Sequence, residues 1–188
     1  MMVIMATALD VPRLAAGDDF LLRAWELGDL PLVQEASNDD LIPLITTVPS
    51  AYTQEAGEAF VRRQWKKASS GGGYPFVIER VEDGRPVGNV GLWLKDLNEG
   101  RASLGYWVVA SARGQRAGAA ALRAVAAWAL GDLQIPRLQL YVEPWNVASQ
   151  RTAERVGFQR EGLLRSWQRV GAERRDMIMY SMLSGDPT

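Results

Sequence analysis

The stretch that decides the fold is GYWVVASARGQRAGAAAL, which spans residues 105–122. Its first residues are aromatic and β-branched and predict a strand, and the small residues that follow predict a turn and then a helix. A helix that starts in this way leaves backbone N–H groups unpaired, and these can bind an anion. Arg113 and Arg116 add positive charge beside them. The stretch therefore predicts a site for a pyrophosphate-bearing cofactor, although a helix start that needs small residues only for packing would have the same pattern.

The turn lacks the signatures of two common nucleotide-binding loops, so its interpretation depends on the sequence downstream. It has neither a Gly-Lys-Ser/Thr ending nor a full Gly-x-Gly-x-x-Gly pattern. A second strand-to-helix crossing follows it. Residues 138–142 alternate between apolar and polar side chains, as in a half-buried strand. Asn146 is a predicted N-cap of the next helix, and Gly157 stands where a left-handed C-terminal cap belongs.

Together the two crossings resemble the GNAT superfamily of acyl-CoA-dependent N-acyltransferases, with the closest likeness to its RimJ/RimL-type branch, which acylates protein N-terminal amines and some small amines. The matching pieces, in order, are Gly105-Tyr106-Trp107-Val108, Arg113-Gly114-Gln115, Asn146 with Ser149, Gly157-Phe158, Glu161-Gly162 and Arg165. The resemblance covers about residues 18–183 and predicts a single domain within residues 1–188. It implies an α/β (α+β) fold in which helices flank a mixed, largely antiparallel sheet. Two central strands of that sheet would splay apart to admit acyl-CoA.

The resemblance also implies which residues contact the cofactor. The backbone of Trp107, Val108 and Val109 would run beside the pantetheine arm. The thiol end would face Asn146 and Ser149, and Arg151 would contact a phosphate. The pyrophosphate would lie on the backbone of the turn and helix start, formed by Arg113, Gly114, Gln115, Arg116, Ala117, Gly118 and Ala119.

The phosphate-binding turn departs from the usual family pattern, Arg/Gln-x-x-Gly-x-Gly/Ala. Read from Gln115 the pattern fits fully, whereas read from Arg113 the glycine position is held by Arg116 and the last small position by Gly118. Helix phase favours the reading from Arg113, because the Ala-Leu pair at residues 121–122 then falls where family members usually have it. Arg116 must then adopt a backbone conformation that glycine takes more easily.

The implied chemistry needs few side chains, because a thioester is already activated and positioning it beside an amine supplies much of the catalysis. By the same resemblance, a backbone N–H near Val108 would bind the thioester oxygen. The hydroxyl of Ser149 would lie near the sulfur and could protonate the leaving thiolate. Ser149 has a second interpretation, since a serine at this position of a helix can simply assist the cap.

The general base is left open by the sequence. Some relatives have a glutamate at the position of Tyr141, and a neutral tyrosine is a poor base at pH 7. Glu143 is the nearest carboxylate, although its place near a strand end predicts a solvated surface charge. A chain of water molecules could also accept the proton.

The acceptor site has weaker signals. Trp93, Trp145 and Trp167 are candidates for lining an acceptor pocket, although aromatic residues more often pack in cores. The short helices within residues 29–45 and the glycine-rich loop at residues 69–73 are expected to shape the entry for the acceptor.

Composition narrows the function classes further. The 188-residue chain contains no Cys and no His, which removes disulfides, thiolate zinc sites, a covalent acyl-cysteine intermediate and the commonest general base. No carboxylate cluster predicts a metal, and the net charge of −1 predicts neither nucleic-acid nor membrane binding.

Residues 1–6 are apolar but lack a basic segment, so we predict no signal peptide and a cytoplasmic location. Relatives commonly form homodimers, and one is possible here.

Hydrophobic periodicity predicts an alternation of strands and helices. The predicted strands are residues 19–25, 75–81, 86–94, 101–109, 137–142, 158–168 and 174–183. The predicted helices are residues 29–36, 39–45, 53–68, 119–130 and 147–156. The helix at 119–130 has a predicted buried stripe of Leu122, Val125, Ala126 and Ala129.

The sequence thus predicts an N-acyltransferase, most simply one that moves acetyl from acetyl-CoA to a primary amine by direct attack in a ternary complex. The acceptor would be a protein N-terminus or a small-molecule amine. Two alternatives stay open at this point. One is a succinyl-type acyltransferase that uses another acyl-CoA, and the other is a non-catalytic module that binds acyl-CoA and serves regulation.

Overall fold

The computed structural model describes residues 9–186. The apolar start at residues 1–6, on which the signal-peptide prediction depends, lies outside the described residues. The strands are β1 (Leu14–Ala16), β2 (Phe20–Arg23), β3 (Gly73–Arg80), β4 (Pro86–Trp93), β5 (Arg101–Val108), β6 (Arg137–Val142), β7 (Gln159–Val170) and β8 (Glu173–Leu183). The α-helices are α1 (Leu30–Ser37), α2 (Ile42–Ile45), α3 (Gln54–Ser69), α4 (Ala117–Gly131) and α5 (Val147–Val156).

The strands form one eight-stranded sheet in the order β1-β2-β3-β4-β5-β6-β8-β7. All neighbouring pairs are antiparallel except β5 and β6, which are parallel. Different helices cover the two faces. Phe60 of α3 packs against Trp25 on one face, and Trp128 of α4 packs edge-on against Tyr74 on the other. This mixed, largely antiparallel sheet flanked by helices confirms the predicted fold class.

The parallel pair β5–β6 is short, and its shortness opens the sheet. The two strands pair only from Arg101–Arg137 to Leu104–Leu140. Beyond that point β5 continues to pair with β4 as far as Val108, and β6 continues to pair with β8 as far as Val142. Because each strand is held by its other neighbour, the two diverge and leave a wedge between them, as the family resemblance implies.

Local sequence signals place several elements well. The strand β6 and the helix α5 have the predicted bounds, and the predicted buried stripe of α4 is buried at all four positions. The N-cap of α5 forms as expected, since Asn146 Oδ1 accepts a hydrogen bond from the Ser149 N–H at 3.0 Å. Gly157 ends this helix in the left-handed region, at φ 112°.

The structure differs from two element predictions near the N-terminus. The strand predicted at 19–25 is β2, which is shorter, and an unpredicted strand, β1, precedes it through a tight turn in which Gly17 has φ 70°. The helix predicted at 39–45 begins only at Ile42. Asp39 Oδ1 accepts hydrogen bonds from the N–H groups of Leu41 and Ile42 at 2.9 and 3.0 Å, which holds the preceding residues in a turn.

A buried ionic network anchors the segment that enters α1. The Arg23 guanidinium donates to both carboxylate oxygens of Asp29, at 2.9 and 2.8 Å, and its Nε donates to Glu79 on β3. Arg23 is 7% exposed and Asp29 is 1% exposed. The hydrogen bond to Asp29 outweighs the effect of burial and raises the pKa of Arg23 above its ordinary value. The start of α1 is thereby tied to the strands β2 and β3.

We expect Asp29→Ala to lower the free energy of unfolding by about 3 kcal/mol, because it leaves part of the buried Arg23 charge uncompensated. Denaturant unfolding of the purified variant measures this loss. The matched control is Glu58→Ala, which removes the exposed Glu58–Arg62 pair on α3 and should change stability by only about 0.5 kcal/mol or less. Equal losses in the two variants would contradict the structural role of the network.

Candidate active site

A cavity of about 1390 Å³ opens where β5 and β6 part. Its walls come from the two diverging strands, the turn before α4, the start of α5, and the helices α2 and α3. The site residues that line it are Trp107, Val108, Arg113, Gly114, Arg116, Ala117, Gly118, Ala119, Glu143, Asn146, Ser149 and Arg151. Most residues singled out in the sequence therefore meet in one place.

The turn before α4 presents a row of free backbone donors. The first hydrogen bond of the helix runs from the Ala120 N–H to the Arg116 carbonyl at 3.0 Å. Within residues 9–186, the N–H groups of residues 114–119 have no acceptor, and no side chain caps the helix. Arg116 has φ 66° and ψ 7°, the left-handed conformation expected from the reading that starts at Arg113. An anion could be bound here by consecutive N–H groups at the positive end of the helix dipole.

The side chains of two residues of this turn bind partners within the protein. The Arg113 guanidinium bonds to Asp39 Oδ2 at 2.5 Å and to the Val108 carbonyl at 3.1 Å, so its charge is largely offset. Burial would raise the pKa of Asp39, but hydrogen bonds from backbone N–H groups and from Arg113 outweigh it and the pKa is lowered. The Gln115 side chain accepts a hydrogen bond from Arg80 at 3.0 Å and does not line the cavity.

The backbone of β5 offers the cavity a donor at Val108. The Val109 N–H donates to the Val87 carbonyl at 3.1 Å, and the Val109 carbonyl accepts from Ala112 at 3.0 Å. Val109 is thus fully buried with both backbone groups engaged, and it does not line the cavity, which argues against the predicted pantetheine contact. Successive N–H groups of a strand point to opposite edges, so the Val108 N–H points into the wedge.

Ser149 meets a partner that the sequence reasoning missed. The Tyr106 hydroxyl donates a hydrogen bond to Ser149 Oγ at 3.3 Å. The Tyr106 ring lies against Gly118, where a Cβ atom would come within 2.6 Å of the ring. Alternation with Trp107 along β5 indicates only that Tyr106 faces α4, and the contact with Ser149 depends on how α5 packs. The cap of α5 uses the Ser149 backbone N–H, which leaves the hydroxyl free for another role.

The structure changes the interpretation of Glu143 and agrees with that of Tyr141. Glu143 is 9% exposed and lines the cavity, so the expectation of a solvated surface charge is wrong. The carboxylate turns inward because β6 delivers it to the open end of the wedge. Tyr141 donates its hydroxyl proton to Gln139 Oε1 at 2.9 Å, and burial raises its pKa above the ordinary value. Tyr141 is therefore a neutral phenol near pH 7.

The aromatic candidates for the acceptor pocket divide into two groups. Trp93 and Trp145 line the cavity, and the Lys67 ammonium lies 4.5 Å from the Trp93 ring centroid. Trp167 does not line it but stacks on Tyr141, with ring centroids 5.8 Å apart. Of the segments expected to shape acceptor entry, residues 39–42 and Ile45 line the cavity, whereas the glycine-rich loop contributes only Ser70.

The described residues contain neither a candidate metal cluster nor a candidate membrane-spanning helix. Among residues 9–186 no group of three or more acidic side chains is placed to hold a metal ion. In the same range, no helix has the length and apolarity needed to cross a bilayer.

The model of the acetyltransferase (GNAT) domain matches residues 19–159, three quarters of the chain. The chain belongs to the GNAT acetyltransferase family. A curated relative, the uncharacterised N-acetyltransferase p20 of Bacillus licheniformis, is 29% identical over 108 residues, which are 57% of this chain and 61% of that protein. The match thus spans less than two thirds of the length of that relative.

Solved GNAT structures resemble the whole described fold. An acetyltransferase of this family from Bacillus anthracis superposes with a TM-score of 0.79 at 21% identity, covering 93% of this chain and all of that one. RimJ of Mycobacterium smegmatis, in complex with a CoA disulfide, superposes with a TM-score of 0.77 at 25% identity, covering 92% of this chain and 86% of that one. The structural neighbours of this GNAT chain therefore include the RimJ-type branch.

Two glycines of α4 provide a matched test of the packing at the site. Gly118→Ala places a methyl group against the Tyr106 ring, so we expect it to destabilise the protein by about 1–3 kcal/mol through overpacking. It should also move Tyr106 away from Ser149. Gly131→Ala meets no atom within 4 Å and should stabilise the helix by about 0.5–1 kcal/mol. Thermal unfolding should show a lower melting temperature for Gly118→Ala and a higher one for Gly131→Ala. A higher melting temperature for Gly118→Ala would contradict the close packing of Tyr106 on Gly118.

Proposed function

We propose that this protein transfers an acyl group, most simply acetyl from acetyl-CoA, to a primary amine. The observation that carries this proposal is the row of unpaired N–H groups at residues 114–119, which lies at one end of the wedge between β5 and β6. A pyrophosphate would bind these groups, while the pantetheine arm would lie in the wedge beside Trp107 and Val108. Arg116 and Arg151 line the same cavity and would add charge for the phosphates. Family membership and the CoA bound to the related RimJ support the same cofactor.

The proposed reaction is direct transfer in a ternary complex. The amine nitrogen forms a bond to the thioester carbon, the C–S bond breaks, and the sulfur leaves as a thiolate. The Val108 N–H would bind the developing oxyanion on the thioester oxygen. The sequence contains no Cys to carry a covalent acyl intermediate, which agrees with a single displacement.

Two proton transfers accompany the displacement. Tyr106 donates to Ser149 Oγ, so the serine's own proton is free to point into the cavity and reach the departing thiolate. On the other side, the acceptor must lose a proton before or during attack. Glu143 is the buried carboxylate at the open end of the wedge, and it would accept this proton directly or through water.

The acceptor proposed for this site is a protein N-terminus or a small-molecule amine. The cavity extends from the wedge to α2 and α3, which leaves room for the residues or atoms that follow the reacting amine. A homodimer and a cytoplasmic location stay predictions.

The roles of Ser149 and Asn146 can be separated by mutation. We expect Ser149→Ala to lower kcat by about 100-fold, in line with the loss of a general acid, without changing the melting temperature or the KM for acetyl-CoA. Asn146→Ala removes the cap and should cost about 1 kcal/mol of stability. Release of CoA thiol in the presence of a panel of primary amines measures kcat. A Ser149→Ala enzyme with unchanged kcat would remove the serine from the mechanism, and no amine-dependent release by the wild type would favour the non-catalytic module.

The acyl group can be assigned by the ranking of ligands in a thermal-shift titration. A ligand present at about 100 times its Kd stabilises the native state by about 2.7 kcal/mol, so free CoA, acetyl-CoA and succinyl-CoA should each raise the melting temperature. We expect acetyl-CoA to reach half of its maximal rise in melting temperature at a lower concentration than the other two ligands. A lower midpoint for succinyl-CoA would replace acetyl by succinyl in the proposal.

A further inference from the structure

The hairpin β7–β8 contains a bulge next to the cavity. Leu164 pairs with Met177, and the next pair is Gln168 with Arg175. Strand β7 therefore has three residues, 165–167, where β8 has only Asp176. Bulges of this kind bend a strand and redirect its side chains, and they are frequent beside binding sites.

Several hydrogen bonds hold this bulge in one conformation. Ser166 has φ 50°, the left-handed region that residues other than glycine rarely adopt. Its N–H donates to Asp176 Oδ1 at 2.7 Å. The Arg174 guanidinium donates to the carbonyls of Ser166 and Trp167 at 2.8 and 3.0 Å. A disfavoured conformation whose N–H and carbonyl are both bound by side chains of β8 points to a functional use of the bulge.

The bulge places the Trp167 indole on the ring of Tyr141. The two ring planes are inclined by 27°. The Tyr141 hydroxyl is engaged by Gln139, so this side chain is held at its ring and at its oxygen. Tyr141 lines the cavity, as do Gln168, which follows the bulge, and Met177, which follows Asp176. The bulge thus influences the position of one residue in the cavity wall, because Trp167 stacks on Tyr141.

We propose that Tyr141 contacts the acceptor and determines its specificity, and that Trp167, held by Asp176 and Arg174, positions Tyr141 for this contact. The inference rests on the proposed function of the cavity. One face of the Tyr141 ring is covered by Trp167 and its hydroxyl is already hydrogen-bonded, so what it offers the acceptor is the open aromatic face. Such a face favours an amine whose neighbouring carbon carries an apolar or aromatic group.

The probes are L-phenylalaninamide and glycinamide, which share a primary amine and differ in the side chain beside it. We expect calorimetry on the wild-type protein loaded with free CoA to show that phenylalaninamide binds more tightly than glycinamide. In the acetyl-transfer assay, kcat/KM should likewise be higher for phenylalaninamide than for glycinamide. Trp167→Ala should reduce this preference roughly three- to tenfold, the range of an aromatic pair. The change should lie in KM for phenylalaninamide, with KM for acetyl-CoA and the constants for glycinamide unchanged. Asp176→Ala should act in the same direction through the bulge.

The matched control is Leu163→Ala. Leu163 lies on the same strand and is 49% exposed, as Trp167 is, but it does not line the cavity or contact Tyr141 through an aromatic pair. This variant should keep the wild-type preference. Equal binding of the two amides by the wild type, or an equal loss for both amides in Trp167→Ala, would overturn the inference. Preferential binding without any acetylated product would contradict the proposed function and leave the inference standing, because the binding measurement needs no turnover.

Discussion

The parallel pairing of β5 with β6 is the constraint on which the rest of the structure depends. It stops after Leu104 and Leu140, while both strands continue along their antiparallel neighbours. A strand edge that lacks a partner exposes backbone donors and acceptors, which is costly unless they are used. In this protein the exposed edge of β5 faces a cavity, and a ligand with an amide-bearing arm would satisfy it. The short pairing that opens the sheet therefore also creates the proposed binding site.

The helix α4 adds the proposed anion site to the same opening. Its first N–H groups lie beside the wedge, because the turn from β5 is short and consists mainly of small residues. Arg116 stands in a left-handed conformation that glycine would adopt with less strain. Gly118 serves a second purpose, since it allows the Tyr106 ring to pack closely on the helix and to reach Ser149. The proposed phosphate site and the proposed thiol end are thereby linked through one glycine.

Much of the fold and part of the site could be predicted from local sequence. The strand β6 and the helix α5 have clear alternation, an asparagine cap and a terminal glycine, and all of these signals act within a few residues. The positions of Arg116, Asn146 and Ser149 along the cavity followed from the family resemblance of the same two crossings. The strand β1 was missed because Gly17 was not interpreted as a turn between two strands.

Other features depend on contacts between distant parts of the chain, and no local pattern encodes them. The burial of Glu143 results from the divergence of β6 from β5, and the pairing of Arg113 with Asp39 joins segments 74 residues apart. The stacking of Trp167 on Tyr141 depends on a register shift in the β7–β8 hairpin. The Tyr106 hydroxyl finds Ser149 only once α4 and α5 are both packed on the sheet.

Amide hydrogen exchange, measured by mass spectrometry with and without free CoA, tests the central claim most directly. The N–H groups of residues 114–119 and of Val108 have no acceptor among residues 9–186, so they should exchange quickly in the free protein. We expect CoA to slow exchange in peptides covering residues 105–119, with little change in the β7–β8 hairpin. Exchange that stays unchanged at residues 114–119 while CoA is bound would contradict it, because the cofactor would then lie elsewhere.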